Sequence, residues 1–217
     1  MKKYLPFLLV PVVLLLIFWR FPTETNFGAA VVDSYSESNQ NSQYSMYTTS
    51  NNGLGQSFTG DGSYLTKATF YAKKHGAPPS TIVAKLYTHS GTFGTNSVPT
   101  GAALATSDTV TANNLTTSFA LVDFNFDGTY QLVANTKYVI SFEYSAGDIN
   151  NQVQTGIDST SPTHAGNLTY LSSGTWAADT TDLIFYVYGT TPVIETSALV
   201  ISSQNVVLTG GSMIISK

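Results

Sequence analysis

The amino-acid sequence predicts an all-β fold, an antiparallel β-sandwich of the jelly-roll kind, and three observations predict it. Apolar and polar residues alternate with a period of two over several short segments. Clusters rich in Gly, Pro, Asp and Asn separate those segments. No window carries the 3.6-residue period of an amphipathic helix.

In chain order the first element is a leader. Lys2 and Lys3 precede an unbroken apolar run over residues 4–19, and the small residues Gly28, Ala29 and Ala30 follow, the layout of a secretory signal or N-terminal anchor. At ~1.5 Å per residue a helix over that run reaches roughly 24 Å, short of a ~30 Å hydrocarbon core. Pro6 and Pro11 further disfavour a straight spanning helix. Cleavage near Ala30 is the expectation, while Arg20 and the length of chain between Trp19 and Ala30 keep an uncleaved anchor open. Either outcome places the remainder outside the cytoplasm, extracellular or at the cell surface, with membrane contact only through the N-terminal segment.

Residues 31–52 are rich in Ser, Asn, Gln and Tyr with little alternation, and read as a polar lead-in or a first irregular strand. Residues 53–189 form the body. Ala68, Phe70 and Ala72 alternate with Thr69, Tyr71 and Lys73, and Ile82, Ala84 and Leu86 with Val83, Lys85 and Tyr87. The pattern returns at Ala120, Val122, Phe124 and Phe126, at Tyr138, Ile140, Phe142 and Tyr144, and at Leu183, Phe185 and Val187. These sets are the expected core. Gly60-Asp61-Gly62, His75-Gly76-Ala77-Pro78-Pro79, Pro99-Thr100-Gly101 and Asp127-Gly128 are the expected turns. Residues 190–217 form a tail with three very short strand-like runs, the last two joined by the hairpin signal Gly210-Gly211. So small a meander cannot bury a core alone, so it is expected to pack on the body or on another subunit.

The string Gly55-Gln56-Ser57-Phe58, the run 65–72, the segment 83–87, Pro99-Thr100-Gly101, the stretch 132–138, Trp176 and the segment 182–189 together resemble the galactose-binding-like jelly-roll modules of bacterial surface proteins, including choice-of-anchor proteins, and of phage virion proteins. The resemblance covers residues 53–189. It implies a non-catalytic sandwich that commonly binds carbohydrate and often carries a structural calcium. Asp61, Asp148 with Asn150 and Asn151, Asp158, and Asp179 with Asp182 are the oxygen donors available to such an ion, but none has the spacing of a dedicated loop.

Composition narrows the function classes. Charged residues make up 10% of the chain and the net charge is −4, falling to −6 without residues 1–30. An acidic body with no basic stripe excludes nucleic acid as an expected partner. With no cysteine there are no disulfides, thiolate ligands or thiol nucleophiles. No hydrolase elbow, zinc-protease helix motif or phosphate loop is present, and His75, His89 and His164 read as separate loop residues. Glu143 and Asp123 are the mid-strand carboxylates that a glycosidase would have to pair.

Carbohydrate binding has the stronger basis, because sugar C–H faces stack on aromatic rings while amides and charges bond the hydroxyls. If the core sets point inward, Tyr71, Tyr87, Tyr186 and Tyr188 point outward with Lys85 and Glu143 beside them. Cross-strand packing of those tyrosines is the alternative. Trp176, expected in a loop between Gly174 and Ala177, either caps the sandwich or adds a stacking surface. The expected function is a secreted or tethered non-catalytic binding module for glycans or cell-surface ligands. A structural subunit of a filament, envelope or virion, homo-oligomerising through residues 191–217, is the other reading.

Overall fold

The computed structural model describes residues 29–191, so the leader and the C-terminal tail lie outside the described residues. Among the described residues no helix is long and apolar enough to cross a membrane, and the helical content is two single-turn 3-10 segments, Glu37–Asn39 and Ala112–Asn114.

Everything else regular is β. In chain order the strands are β1 (Ala30–Tyr35), β2 (Ser42–Met46), β3 (Asn51–Thr59), β4 (Tyr64–His75), β5 (Thr81–Ser90), β6 (Val98–Thr111), β7 (Ala120–Asn125), β8 (Lys137–Glu143), β9 (Gln152–Asp158), β10 (Leu168–Ser172), β11 (Thr175–Ala178), β12 (Asp182–Leu183) and β13 (Phe185–Thr190). They join into one 13-stranded sheet with the path β1-β13-β4-β9-β2-β3-β8-β5-β6; β7 branches from β4, β12 from β9 and β10 from β3, with β11 beyond it. The pairings are antiparallel except β2 with β3, a single parallel contact between Met46 and Asn51. The stretch expected as a polar lead-in supplies β1, which pairs with β13 from Ala30 opposite Gly189, and β2, which pairs with β9.

That lone parallel contact divides the path into two arms, and the sheet curls so that the arms face each other. Phe70 of β4 and Phe124 of β7 lie on one arm; Phe142 of β8, on the other, meets their rings at centroid distances of 5.2 and 5.4 Å. Since none of these strands is hydrogen-bonded to β8, the contacts run through the core. Leu54, Phe58, Leu65, Ile82, Leu86, Ile140, Leu183 and Val187 fill the rest of it. The expectation of two separate stacked sheets therefore holds at the level of an all-β fold with a shared apolar interior, while the hydrogen bonding is that of one mixed, strongly curled sheet. A sharply twisted sheet can turn back on itself in this way, because the strand twist accumulates from neighbour to neighbour.

The alternation read from the sequence is the alternation of burial. On β5 Ile82, Ala84 and Leu86 are buried while Val83, Lys85 and Tyr87 are half-buried. On β13 Phe185 and Val187 point in, leaving Tyr186 and Tyr188 outside.

Candidate functional site

The outer face of the β3–β8–β5 arm is built across one cross-strand row. Strand register places Trp176 of β11 opposite Leu171 of β10, Leu171 opposite Gly53 of β3, Gly53 opposite Glu143 of β8, and Glu143 opposite Val83 of β5. Gly53 is the low point of that row. A Cβ there would lie 3.1 Å from the Trp176 ring and 3.1 Å from Glu143 Cγ, so the missing side chain is what lets the indole lie across the strand. Trp176 then meets Tyr87 edge-on at a centroid distance of 6.2 Å.

Glu143 sits under this aromatic corner. Its carboxylate accepts from Lys85 Nζ at 2.6 Å, Tyr87 OH at 2.8 Å and Ser141 Oγ at 2.9 Å. The side chains of Lys85 and Glu143 keep 29% and 13% of their accessible surface. Burial first, and the Glu143 carboxylate second, push the Tyr87 phenol far above its usual range, so it stays a donor. The arrangement offers a half-buried indole and phenol ring, an ammonium with further donors and a fixed acceptor.

Lys85, Tyr87, Glu143 and Trp176 thus come together, and Trp176 does so from strand β11 rather than from a loop. The β10–β11 hairpin turns through Ser173 and Gly174, both at positive φ, 50° and 78°, the backbone of a two-residue primed turn. That turn fixes the register that carries the indole over Gly53.

The other expected tyrosines do not join them. Tyr186 and Tyr188 lie on β13, in the other arm, with rings stacked at 6.2 Å. Tyr186 OH donates to Glu37, and burial followed by that carboxylate pushes its phenol up to about 12. Lys67 Nζ lies 4.4 Å over the Tyr188 ring. Tyr71 stacks on Phe119 at 5.1 Å. A single tyrosine-lined face is therefore corrected to separate surfaces, because period-two alternation sets in from out but not which arm a strand joins. The carboxylate pair divides for the same reason. Phe124 and Phe142 face each other across the core, so their neighbours Asp123 and Glu143 point away on opposite outer surfaces; Asp123 bonds Lys67 at 3.1 Å and Thr69 at 2.6 Å.

A second polar cluster was not anticipated. His164, expected as a surface loop residue, keeps only 7% of its side-chain surface. Gly166 N–H and the Gln56 amide both donate to its Nδ1, each at 3.0 Å. That nitrogen is therefore the acceptor, and Nε2 carries the proton that it donates to Asp33 Oδ1 at 3.2 Å. Gln56 also donates to Asp182 Oδ1 at 2.8 Å and accepts from Leu183 N–H at 2.8 Å. Burial pushes the Asp182 carboxyl up. Burial also acts upward on Asp33, but the His164 hydrogen bond and the Ser34 and Thr59 N–H groups outweigh it and hold that carboxyl low. Only the fold joins these residues; Asp33 and His164 are 131 positions apart.

The candidate calcium donors are engaged by protein groups. Asp61 accepts from Ser63 N–H and Oγ at 2.9 and 2.6 Å, and Asp148 from the N–H groups of Asn150 and Asn151 at 2.7 and 3.0 Å. Asp179 accepts from Tyr44 OH and Thr181 N–H, and Asp158 from Tyr35 OH, Asn41 and the N–H groups of Thr160 and Ser161. Among the described residues no three His, Asp or Glu side chains converge in one place.

No protein-family model and no curated protein matches the chain. Among solved structures it is similar to the clostridial cysteine protease Cwp84 after propeptide cleavage, with a TM-score of 0.48, 9% identity, and coverage of 69% of this chain and 38% of that one. It is also similar to the cysteine protease and lectin-like domains of Cwp84, a surface layer associated protein of Clostridium difficile, with a TM-score of 0.43, 10% identity, and coverage of 65% and 33%. The chain spans little more than a third of either at most, a distant likeness between an all-β domain and part of Cwp84.

Proposed function

We propose that the chain is a non-catalytic jelly-roll binding module, exported through its N-terminal leader to the cell surface or beyond, whose ligand is carbohydrate held on the Trp176 face. The observation that carries this reading is the corner formed by Trp176 and Tyr87 over Gly53, with the Glu143 carboxylate and the Lys85 ammonium at its base. The rings give the flat apolar surface and the charges give directional partners for hydroxyls. The scaffold holds both in place before a ligand arrives, which lowers the ordering cost of binding.

A glycan array probed with the purified chain, with calcium chelated and then restored, tests this. Binding to a glycan class by the wild type, weakened roughly thirtyfold in Trp176→Ala as for an aromatic hot spot worth ~2 kcal/mol, is the expected result. An equal signal from both proteins, or none from the wild type, overturns it. Loss of signal on chelation would identify a structural calcium.

The assembly reading keeps one supporting observation: among the described residues β6, 14 residues long, pairs only with β5. Light scattering on the full chain and on a chain lacking residues 191–217 decides it, since a monomer that keeps its fold after the deletion removes that reading.

A further inference from the structure

The sequence beyond β13 is patterned to lie against something. Its three strand-like runs cover residues 197–202, 205–209 and 212–216, outside the described residues. A two-residue hairpin at Gly210-Gly211 sets Leu208 opposite Met213 and Val206 opposite Ile215, and opposite residues share a face. Ser203 and Gln204 leave the same two-residue spacing before the middle run, which sets Ile201 opposite Val206 and Leu199 opposite Leu208. All six side chains therefore fall on one face of the meander. The other face mixes Ala198, Val200, Val207 and Ile214 with Ser202, Asn205, Thr209, Ser212 and Ser216. The first face is the one that needs cover, and three short strands cannot provide it by themselves.

The outer side of β1–β13–β4–β7 is the matching surface. Register puts Val31 of β1 opposite Tyr188 of β13, Tyr186 opposite Thr69 of β4, and Tyr71 opposite Leu121 of β7. Val31, the stacked Tyr188 and Tyr186, then Tyr71 and Leu121 make a diagonal apolar stripe across four strands. Val31 and Leu121 keep 51% and 46% of their surface, two of the four large apolar side chains left exposed among the described residues. The polar groups within the stripe already have partners, Lys67 with Asp123 and Glu37 with the Tyr186 hydroxyl, so an apolar cover leaves no lone charge there. The tail starts from this same sheet, directly after Thr190 of β13. Residues 192–198 then reach up to ~24 Å, and the six residues of β13 span roughly 20 Å. So short a tether can turn back over the face, and it holds the tail there at an effective concentration on the order of mM.

We infer that the outer face of β1–β13–β4–β7 is the docking surface for residues 197–216 of the same chain, with the Leu208–Met213 face of the meander lying on the stripe from Val31 to Leu121. The tyrosines of this arm are then the floor of an internal contact and not a ligand platform. The inference does not depend on the carbohydrate reading of the Trp176 face, and it opposes the assembly reading, which needs the same tail free for a neighbour.

The chain has no cysteine, so introduced thiols report without background. Full-length chains carrying Ser212→Cys together with Val31→Cys or Leu121→Cys are mixed as light and heavy isotope-labelled protein, treated with a short bis-maleimide and digested for mass spectrometry. Crosslinks joining Ser212→Cys to the stripe within one chain, light to light and heavy to heavy, are the expected result. Thr175→Cys, exposed on β11 beside Trp176, should give roughly tenfold less with the same tail thiol. Leu208→Asp, on the apolar face of the meander, should cut the Val31 crosslink roughly tenfold, as for one large apolar side chain no longer buried. Val207→Asp, on the opposite face, should leave it within about twofold. Light-to-heavy crosslinks overturn the inference by making a second copy the occupant, and then the assembly reading gains. Equal yields at Thr175, no crosslink to the stripe, or equal effects of the two aspartates also overturn it, while the reading of the Trp176 face stands or falls by the glycan array alone.

Discussion

The cluster around His164 and the cluster around Glu143 use the same materials, carboxylates joined to a phenol or imidazole and to amide or hydroxyl groups, and differ in what closes over them. At His164 each ring nitrogen and each amide atom of Gln56 meets a protein partner, and the ring is wedged against Tyr35 and Phe185 at centroid distances of 6.1 and 5.2 Å. At Glu143 the protein supplies bonds from below and Gly53 leaves room above for the Trp176 indole, while Lys85 and Tyr87 stay half-buried. The first cluster joins β1, β3 and β12 to the loop that carries His164, and its work is structural. The second presents its groups outward.

The sharpest way to break the comparison is Gln56→Leu. It removes the shared partner of His164, Asp182 and Leu183 N–H, leaving Asp182 Oδ1 and the buried Leu183 N–H unmatched while Asp182 Oδ2 keeps the His164 N–H, and should cost about 3 kcal/mol in chemical denaturation. A loss below ~1 kcal/mol would mean the network is hydrated and not closed.

Asp158→Asn comes next. The usual aspartate value near 3.8 falls to about 2 here: burial acts upward, but the Tyr35 hydroxyl, the Ser161 and Thr160 N–H groups and Asn41 pull harder the other way. A depressed folded value contributes stability that is present above about pH 4 and is lost as pH falls toward 2. The variant, which turns an amide donor toward those donors, should be destabilised at pH 7 by about 2 kcal/mol. Its deficit in melting temperature should narrow between pH 4 and 2. A pH-independent deficit would show that the carboxylate's charge plays no part.

Gly53→Ala probes the open cluster. The new methyl meets Trp176 and Glu143 Cγ at 3.1 Å, so the indole must shift. A stability loss of about 1 kcal/mol from overpacking should accompany a moved Trp176 indole N–H resonance and reduced glycan signal. An unmoved resonance would free Gly53 of the role assigned to it. Smallest is Glu143→Gln, which keeps an acceptor for Tyr87 and Ser141 but ends the ion pair with a partly exposed lysine. Stability should change by less than ~1 kcal/mol and lose its dependence on salt. A larger loss would put Glu143 in the class of His164.

Period-two patterning exposed β4, β5, β7, β8 and β13 and their inward residues because each has one face on the core and one toward solvent. It also placed Tyr87, Lys85 and Glu143 on a common outward side. It did not expose β9, whose seven residues are all buried although Gln152, Gln154 and Thr155 are polar. That strand runs between β4 and β2, and Gln154 and Thr155 meet partners supplied by those strands, Gln154 Nε2 donating to Ser45 Oγ at 3.2 Å and Thr155 Oγ1 to the Tyr71 carbonyl at 3.1 Å, so tertiary closure and not hydropathy makes it a strand. The hairpin signal at Ser173-Gly174 was present, and would have moved Trp176 from loop to strand. The Asp33–His164 contact has no local signal at all.

The pairing of Ala30 with Gly189 has a mechanical consequence. Both ends of the described body leave side by side from one corner of an antiparallel ladder, so tension drawn between them would load the β1–β13 hydrogen bonds one after another, as in opening a zipper, and not all at once in shear. A single-molecule pull on residues 29 and 191 should first detach β1 at low force, while Asp33 is drawn off His164 only after the outer rungs have opened.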